Sequence, residues 1–421
     1  MGSGAHPNPR SVGFKEFVGL AAALMATQAI SVDAMLPALP VIAGALKVAE
    51  QNRTQLIVTA YVIGVGLGQL FWGLLSDYYG RRPILLIGLI ACVVAAVLCG
   101  LTSSFHMLLA LRTVHGIAAA SVVIGRSAVR DQFSGRQMAR VMSLTFIVFL
   151  MIPVIAPTLG QLVLWVAPWR WIFVLFGAYA SCVFFWVLVR LPETLHPEYR
   201  LVLSRQHIVH ALKLVLAGRI SLCYTLALTI MFGSILAYVG TVQQIFQDVF
   251  HRPSLMPEIF AICAGSMGVT SYVNSRLVER IGMRTISQIG ILLFLLVTGV
   301  HTLVVVLKLE NLWTFVILQS VTLACIGLTA SNFGAMAMEP VGTVAGIGAS
   351  LQGFISSIGG ALVGALIGKF FDGSTLPLAL GTLLCGLTSF GFLIYAEHGR
   401  LFNPHHSMDV GQTAGLSASH H

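Results

Sequence analysis

Runs of about 20 apolar residues recur along the whole chain, parted by short polar turns, and each is long enough to cross a bilayer. In water such runs would need a polar shell to cover them. Only 9% of the 421 residues are charged, while 57% are hydrophobic, so no such shell can be assembled. A bilayer core accepts only backbone that is hydrogen-bonded within its own segment, which favours helices. The chain is therefore read as an all-α polytopic membrane protein. Spans are expected at 15–37, 54–75, 83–103, 106–128, 141–163, 169–190, 219–241, 256–276, 285–307, 311–333, 343–367 and 376–396, twelve in all.

The longest polar interruption, Leu191 to Arg219, follows the sixth span and divides the spans into two groups of six. The expected organisation is a tail at 1–14, a bundle at 15–190, a linker at 191–218, a bundle at 219–397 and a tail at 398–421. With both termini on one face, that face collects Arg81, Arg82, Arg126, Arg130, Arg136, Arg140, Arg276, Arg280 and Arg284. The other face keeps Lys47, Arg53, Arg170, Arg252, Lys308 and Lys369. Lys and Arg concentrate on cytoplasmic loops, so both termini are expected in the cytoplasm. The net charge of +9 then reads as topology and contact with membrane lipid, and no nucleic-acid partner is expected. Met1 to Arg10 lacks the order of charge, apolar core and cleavage site of a signal peptide. All seven cysteines fall inside apolar runs without a Cys-x-x-Cys pair, so neither a metal site nor a disulfide framework is signalled.

The most charged turn, Gly73-Leu74-Leu75-Ser76-Asp77-Tyr78-Tyr79-Gly80-Arg81-Arg82-Pro83, joins the second and third spans. Gly80 permits a tight turn, Pro83 suits the first turn of a helix, and Asp77 can pair with Arg81. A later turn, Asn274 to Arg284, sets Gly282 and Arg284 where the first has Gly80 and Arg82. Arg81-Arg82 alone would be an ordinary anchor at the membrane face. The combination Gly-x-x-(Ser or Ala)-Asp-x-x-Gly-Arg-Arg at this place resembles the signature loop of the major facilitator superfamily of transporters. That resemblance implies two six-helix bundles around a central site. It also implies that the start of the eleventh span meets this loop. Gly73, Asp77, Gly80, Arg81, Arg82 and Asp131 would then act as a cytoplasmic latch that stabilises the outward-open state.

An ionisable side chain deep in a bilayer costs about 2.5–3.5 kcal/mol and is a functional candidate by default. Asp33, near the outer end of the first span, and Arg112, in the first third of the fourth, are the two. If both face a central cavity, Asp33 takes up and releases a proton and Arg112 tunes it. The plainer reading is that Asp33 caps its helix and Arg112 braces backbone. His115, one turn from Arg112, is either a third proton-coupling group or hydrogen-bonded structure. Pro153, Pro157 and Gly160 interrupt the fifth span, as a functional bend or as an ordinary kink. Gln28, Tyr61, Gln69, Tyr238, Gln243, Gln319, Asn332 and Gln352 are polar residues in apolar spans; they line a substrate cavity or bond to neighbouring helices.

Several further segments resemble the bicyclomycin-resistance (Bcr/CflA) branch of drug:proton antiporters. Ser31 to Pro40 is similar to its first-helix signature, an Asp before Leu-Pro-x-x-Pro, and Arg112 to Val123 with Arg130-Asp131 to its fourth-helix segment. Ala156-Pro157-Thr158-Leu159-Gly160 resembles the proline-glycine motif of antiporters, with Ala156 and Gln161 where glycine is usual. The resemblance implies export of a drug-like or small metabolite molecule against inward proton flow, across a bacterial inner membrane, by a single chain without cofactor. A proton-coupled importer for a small nutrient shares the fold and the loop. The chain has no Gly-x-x-x-x-Gly-Lys-(Ser or Thr) motif, which disfavours ATP-driven pumping. A membrane-embedded enzyme or sensor would need clustered His, Asp and Glu or a nucleophile with its base. Asp33, Arg112 and His115 are too sparse for that, so no enzyme is expected.

Overall fold

The computed structural model describes residues 13–133, 135–196, 198, 212–213, 215–399 and 401–402. Most of the tails expected at 1–14 and 398–421 and much of the linker at 191–218 lie outside the described residues, which are helical with short turns and no strand.

Proline sets the first break. Helix α1 (Phe14–Asp33) cannot continue because Pro37 and Pro40 have no N–H to give the carbonyls of Asp33 and Leu36. The Leu39 N–H takes the Leu36 carbonyl instead, and a 3-10 turn at Leu36–Ala38 leads into α2 (Leu39–Ala45). The first span, expected at 15–37, is thus helical to Asp33 and is prolonged to Ala45 by a second, short piece. Helices α3 (Leu56–Tyr79) and α4 (Arg81–Leu101) follow as single rods. The fourth span is again divided, into α5 (Phe105–Ala119), a 3-10 turn at Ala120–Val123 and α6 (Ile124–Gln132). Helix α7 (Gly135–Val166) runs through Pro153 and Pro157, and α8 (Arg170–Arg190) closes the first bundle. The second bundle comprises α9 (Arg219–Gln244), α10 (Met256–Ile281), α11 (Met283–Val306), α12 (Leu312–Met338), α13 (Ala345–Lys369) and α14 (Leu376–Ala396).

The two bundles repeat one another. In the first, α3 packs on α5, α4 on α8 and α1 on α7; in the second, α10 packs on α12, α11 on α14 and α9 on α13. Between the bundles α3 meets α13 and α7 meets α10, the exchange that a two-fold axis requires. The backbone repeats as well. Gly80 (φ 108°, ψ 157°) and Gly282 (φ 88°, ψ 150°) end α3 and α10 in a conformation that a side chain disfavours.

Helix α10 is the least apolar of the second bundle for a visible reason. Ser266, Thr270 and Ser271 donate to the carbonyls of Ser320, Ala324 and Gly327 on α12, and Asn274 exchanges hydrogen bonds with Asn332. With no water in the hydrocarbon, such polar ladders hold helices together where apolar contact gives no preference over lipid.

At the end opposite Gly80 the bundles are tied by uncharged amides. Gln55 Nε2 donates to Gln244 Oε1 at 2.6 Å and to the Gly368 carbonyl at 3.3 Å. Gln244 Nε2 donates to Asn52 Oδ1 at 2.9 Å, and Asn52 Nδ2 reaches the Phe371 carbonyl at 2.9 Å. The bare backbone of Gly368 leaves room for this amide: a Cβ there would stand 1.7 Å from Gln55 Oε1, so Gln55 would have to shift.

This seal makes a prediction. Gly368→Ala should push Gln55 out of place and cost about 1–3 kcal/mol, as over-packing does. A Thr59→Cys residue, just beneath Gln55, is then expected to react with a maleimide several times faster in the Gly368→Ala background, above the rate of the exposed native Cys182. An unchanged rate would show that Gln55 does not hold this end closed.

Candidate functional site

Close approach of α3 and α5 positions the most buried charge. A Cβ on Gly116 would stand 2.0 Å from the Tyr61 carbonyl, so the two backbones touch, and Arg112 one turn earlier is enclosed completely. Its Nη2 donates to the Ser31 carbonyl at 2.9 Å and its Nε to the Ile57 carbonyl at 3.3 Å. The Ser31 carbonyl needs this donor: the Met35 N–H, its helical partner, turns to Val32 at the end of α1. The guanidinium carbon stands 4.3 Å from the Tyr61 ring centroid, a cation–π contact. Arg112 Nη1 lies 3.1 Å from His115 Nδ1. Arginine can only donate, so the His115 ring accepts at Nδ1 and carries its proton on Nε2, which is buried without a partner.

Asp33 does not join this group. Its side chain, the last of α1, is buried at 7% exposure, and among the described residues it has neither a hydrogen bond nor an ion pair. The helix with the bend motif lies against Ala34, the residue that follows it. A Cβ on Gly160 of α7 would stand 2.0 Å from the Ala34 carbonyl, so only glycine lets α7 lie against the end of α1. Pro157 and Gly160 are buried and Pro153 is half-buried.

The signature loop is a bonded cluster. Arg81 pairs with Asp77, donates from Nε to Asp131 Oδ2 at 2.9 Å and from Nη1 to Ser76 Oγ at 2.8 Å. Glu193 caps the start of α4, accepting from the backbone N–H groups of Arg81 and Arg82 at 2.9 and 3.2 Å. Arg82 Nη2 donates to the Leu188 carbonyl at 2.7 Å. Helix α13 begins over Asp77: a Cβ on Gly346 would lie 4.0 Å from Asp77 Oδ2.

Between the bundles lies a cavity of about 630 Å³, within the size range of small-molecule sites. It runs from the amides of Gln28, Gln69 and Gln352 to Gly73, Asp77, Arg81 and Asp131. Other polar residues expected on its wall lie elsewhere. Tyr61 sits beneath Arg112, Tyr238 stacks on Phe260 at 5.7 Å, and Asn332 is paired with Asn274. Gln243 and Gln319 are buried and are not among the lining residues. For Tyr61 and Asn332 a neighbouring helix supplies the hydrogen-bond partner that a cavity would otherwise have met. Asp33, Arg112 and His115 are also off the wall. Sequence reasoning missed the seal residues Asn52, Gln55 and Gln244 and the cap Glu193. An amide carries no charge to single it out, and Glu193 lies 112 positions from the N–H it binds.

Comparison with known proteins shows the family and the fold. The family model described as Major Facilitator Superfamily matches residues 20–364. A bicyclomycin resistance protein homolog of Haemophilus influenzae is 29% identical over 363 residues, 85% of this chain and 90% of that one. A multidrug resistance protein MdtL of Klebsiella pneumoniae is 26% identical over 386 residues, 88% and 93% of the two chains. Among solved structures a D-xylose-proton symporter superposes with a TM-score of 0.72 at 12% identity, over 91% of this chain and 98% of that one.

The Arg112 geometry is testable. Arg112→Lys keeps the charge but cannot serve Ser31, Ile57 and His115 together. Leaving one buried acceptor unmet costs about 1–3 kcal/mol. A clear fall in the apparent thermal midpoint of the purified protein is expected; an unchanged midpoint would mean that these bonds do not hold α1, α3 and α5.

Proposed function

The chain belongs to the Major Facilitator Superfamily, and we propose that it works there as a proton-coupled antiporter. In this reading it exports a drug-like or small metabolite molecule across a bacterial inner membrane by alternating access. One observation carries the proposal: the cavity between the bundles reaches the signature loop, while at the far end of α3 the bundles are tied to one another by amides. Rocking of the bundles would break the Gln55–Gln244 contact and tighten the start of α13 on Asp77, Arg81 and Asp131. Access then passes from one face to the other, with the loop as the latch.

Asp33 is the proton carrier in this reading. An ionised carboxylate without a counter-ion is costly inside a protein. Its charge state therefore responds to how α7 lies against the end of α1 as the bundles rock. The names of the drug-resistance relatives support export as the direction. The Arg-rich turns at Gly80 and Gly282 support cytoplasmic termini. Each proton entering along the membrane potential releases about 2.3 kcal/mol per 100 mV, enough to drive a moderate substrate gradient. One chain contains both bundles, so a monomer surrounded by lipid suffices.

Proteoliposomes with an internal pH probe test this. Addition of a transported compound is expected to collapse an imposed proton gradient in the wild type and not in Asp33→Asn. Substrate moving with protons in the same direction would make the protein an importer instead. Asp77→Asn is expected to slow turnover while leaving equilibrium substrate binding near the wild-type value; unaltered turnover would remove the latch role.

A further inference from the structure

Some amides of this protein spend their hydrogen bonds on one another, while Gln243 and Gln319 are buried away from the cavity. Asn52, Gln55 and Gln244 are bonded to one another, and Asn274 to Asn332. The cavity amides have hydrogen-bonding capacity to spare. Gln28 and Gln69 have no side-chain hydrogen bond among the described residues, and Gln352 spends one donor on the Gly334 carbonyl at 3.3 Å. A primary amide offers two donors and a two-lone-pair acceptor, so this wall presents matched donors and acceptors with nothing of the protein to use them. The position of Gln69 is built in: a Cβ on Gly353 of α13 would stand 1.8 Å from its Oε1. The missing side chain at 353 is what lets the Gln69 amide lie across the boundary between the bundles.

Charge is distributed the opposite way. The charged groups on the described cavity wall are Asp77, Arg81 and Asp131, all at the loop end and bonded to one another. A permanent cation moving up to the amides would leave its hydration behind and find no carboxylate on that stretch of wall. An uncharged molecule with its own donors and acceptors loses less and is repaid by the amides.

Taking the cavity as the substrate site, as proposed above, we infer that it selects uncharged molecules bearing both hydrogen-bond donors and acceptors. Gln28 and Gln69 are the residues that set this specificity, and permanent cations are disfavoured.

Equilibrium binding to the purified full-length protein tests the inference, with radiolabelled chloramphenicol and bicyclomycin as uncharged probes and tetraphenylphosphonium as the cation. At least one uncharged probe is expected to bind more tightly than the cation. Gln28→Ala and Gln69→Leu should each weaken it roughly fivefold, the loss of about one hydrogen bond. Gly353→Ala should match Gln69→Leu because it displaces the same amide; where it fails to fold, Gln69→Leu carries the comparison. Gln69→Glu should raise the affinity for tetraphenylphosphonium. The inference is overturned if the cation binds the wild type as tightly, if neither uncharged probe binds, or if both glutamine substitutions leave binding unchanged. Its failure is distinct from that of the antiporter reading. An uncharged probe that binds as described but moves no proton would remove the antiporter alone, and proton-coupled transport of tetraphenylphosphonium would remove this inference alone.

Discussion

The Arg112 guanidinium joins three helices at the place where one of them stops. Prolines 37 and 40 end α1 inside the membrane region and leave carbonyls without helical donors. In a bilayer such groups need protein partners, since water is not at hand. Arg112 fills that need at Ser31, holds Ile57 at the start of α3, and is itself covered by Tyr61 and His115. Its positive charge also suits the negative end of the α1 dipole. The break, the charge and the position of Asp33 are therefore one arrangement. Without the break Ser31 would not require Arg112, and without Arg112 the break would leave the Ser31 carbonyl buried without a donor.

The duplicated plan has been kept in backbone and altered in chemistry. Gly80 and Gly282 share one conformation, yet Arg81, which holds Asp77 and Asp131, has Met283 as its counterpart. In the second bundle Arg284 lies 3.6 Å from Glu397 and 3.7 Å from Glu339, longer contacts that also draw in Tyr224 through Glu397. Glu193 and Glu397 each follow the last helix of a bundle and each serve the turn. The compact, short-bonded cluster lies on the side where α13 arrives, which makes the first bundle the one that reports the meeting of the two.

Much of this was legible in the sequence because the bilayer imposes a length. The expected spans agree with the helices to within a few residues over most of the chain, and the Gly80 and Gly282 turns fell where the repeat put them. The division of the first span was less legible: Pro37 and Pro40 were visible, but tertiary support decides whether prolines bend a helix or end it. Pro153 and Pro157 lie within an unbroken α7. Gln28, Gln69 and Gln352 reached the cavity while Asn332 and Tyr238 did not, and nothing in their local sequence separates the two groups. The partners of Arg112 are backbone carbonyls, which no residue type announces. The partners in the seal are 189 and 192 positions apart.

That seal has an electrical consequence. Asn52, Gln55, Gln244 and the Gly368 carbonyl exchange hydrogen bonds between uncharged groups. Parting them moves no charge along the membrane normal, so the transmembrane voltage performs no work on these contacts, and dissolved ions screen nothing. An Arg–Glu pair at the same place would tighten or loosen with voltage and salinity. These contacts hold equally in dilute and in saline surroundings.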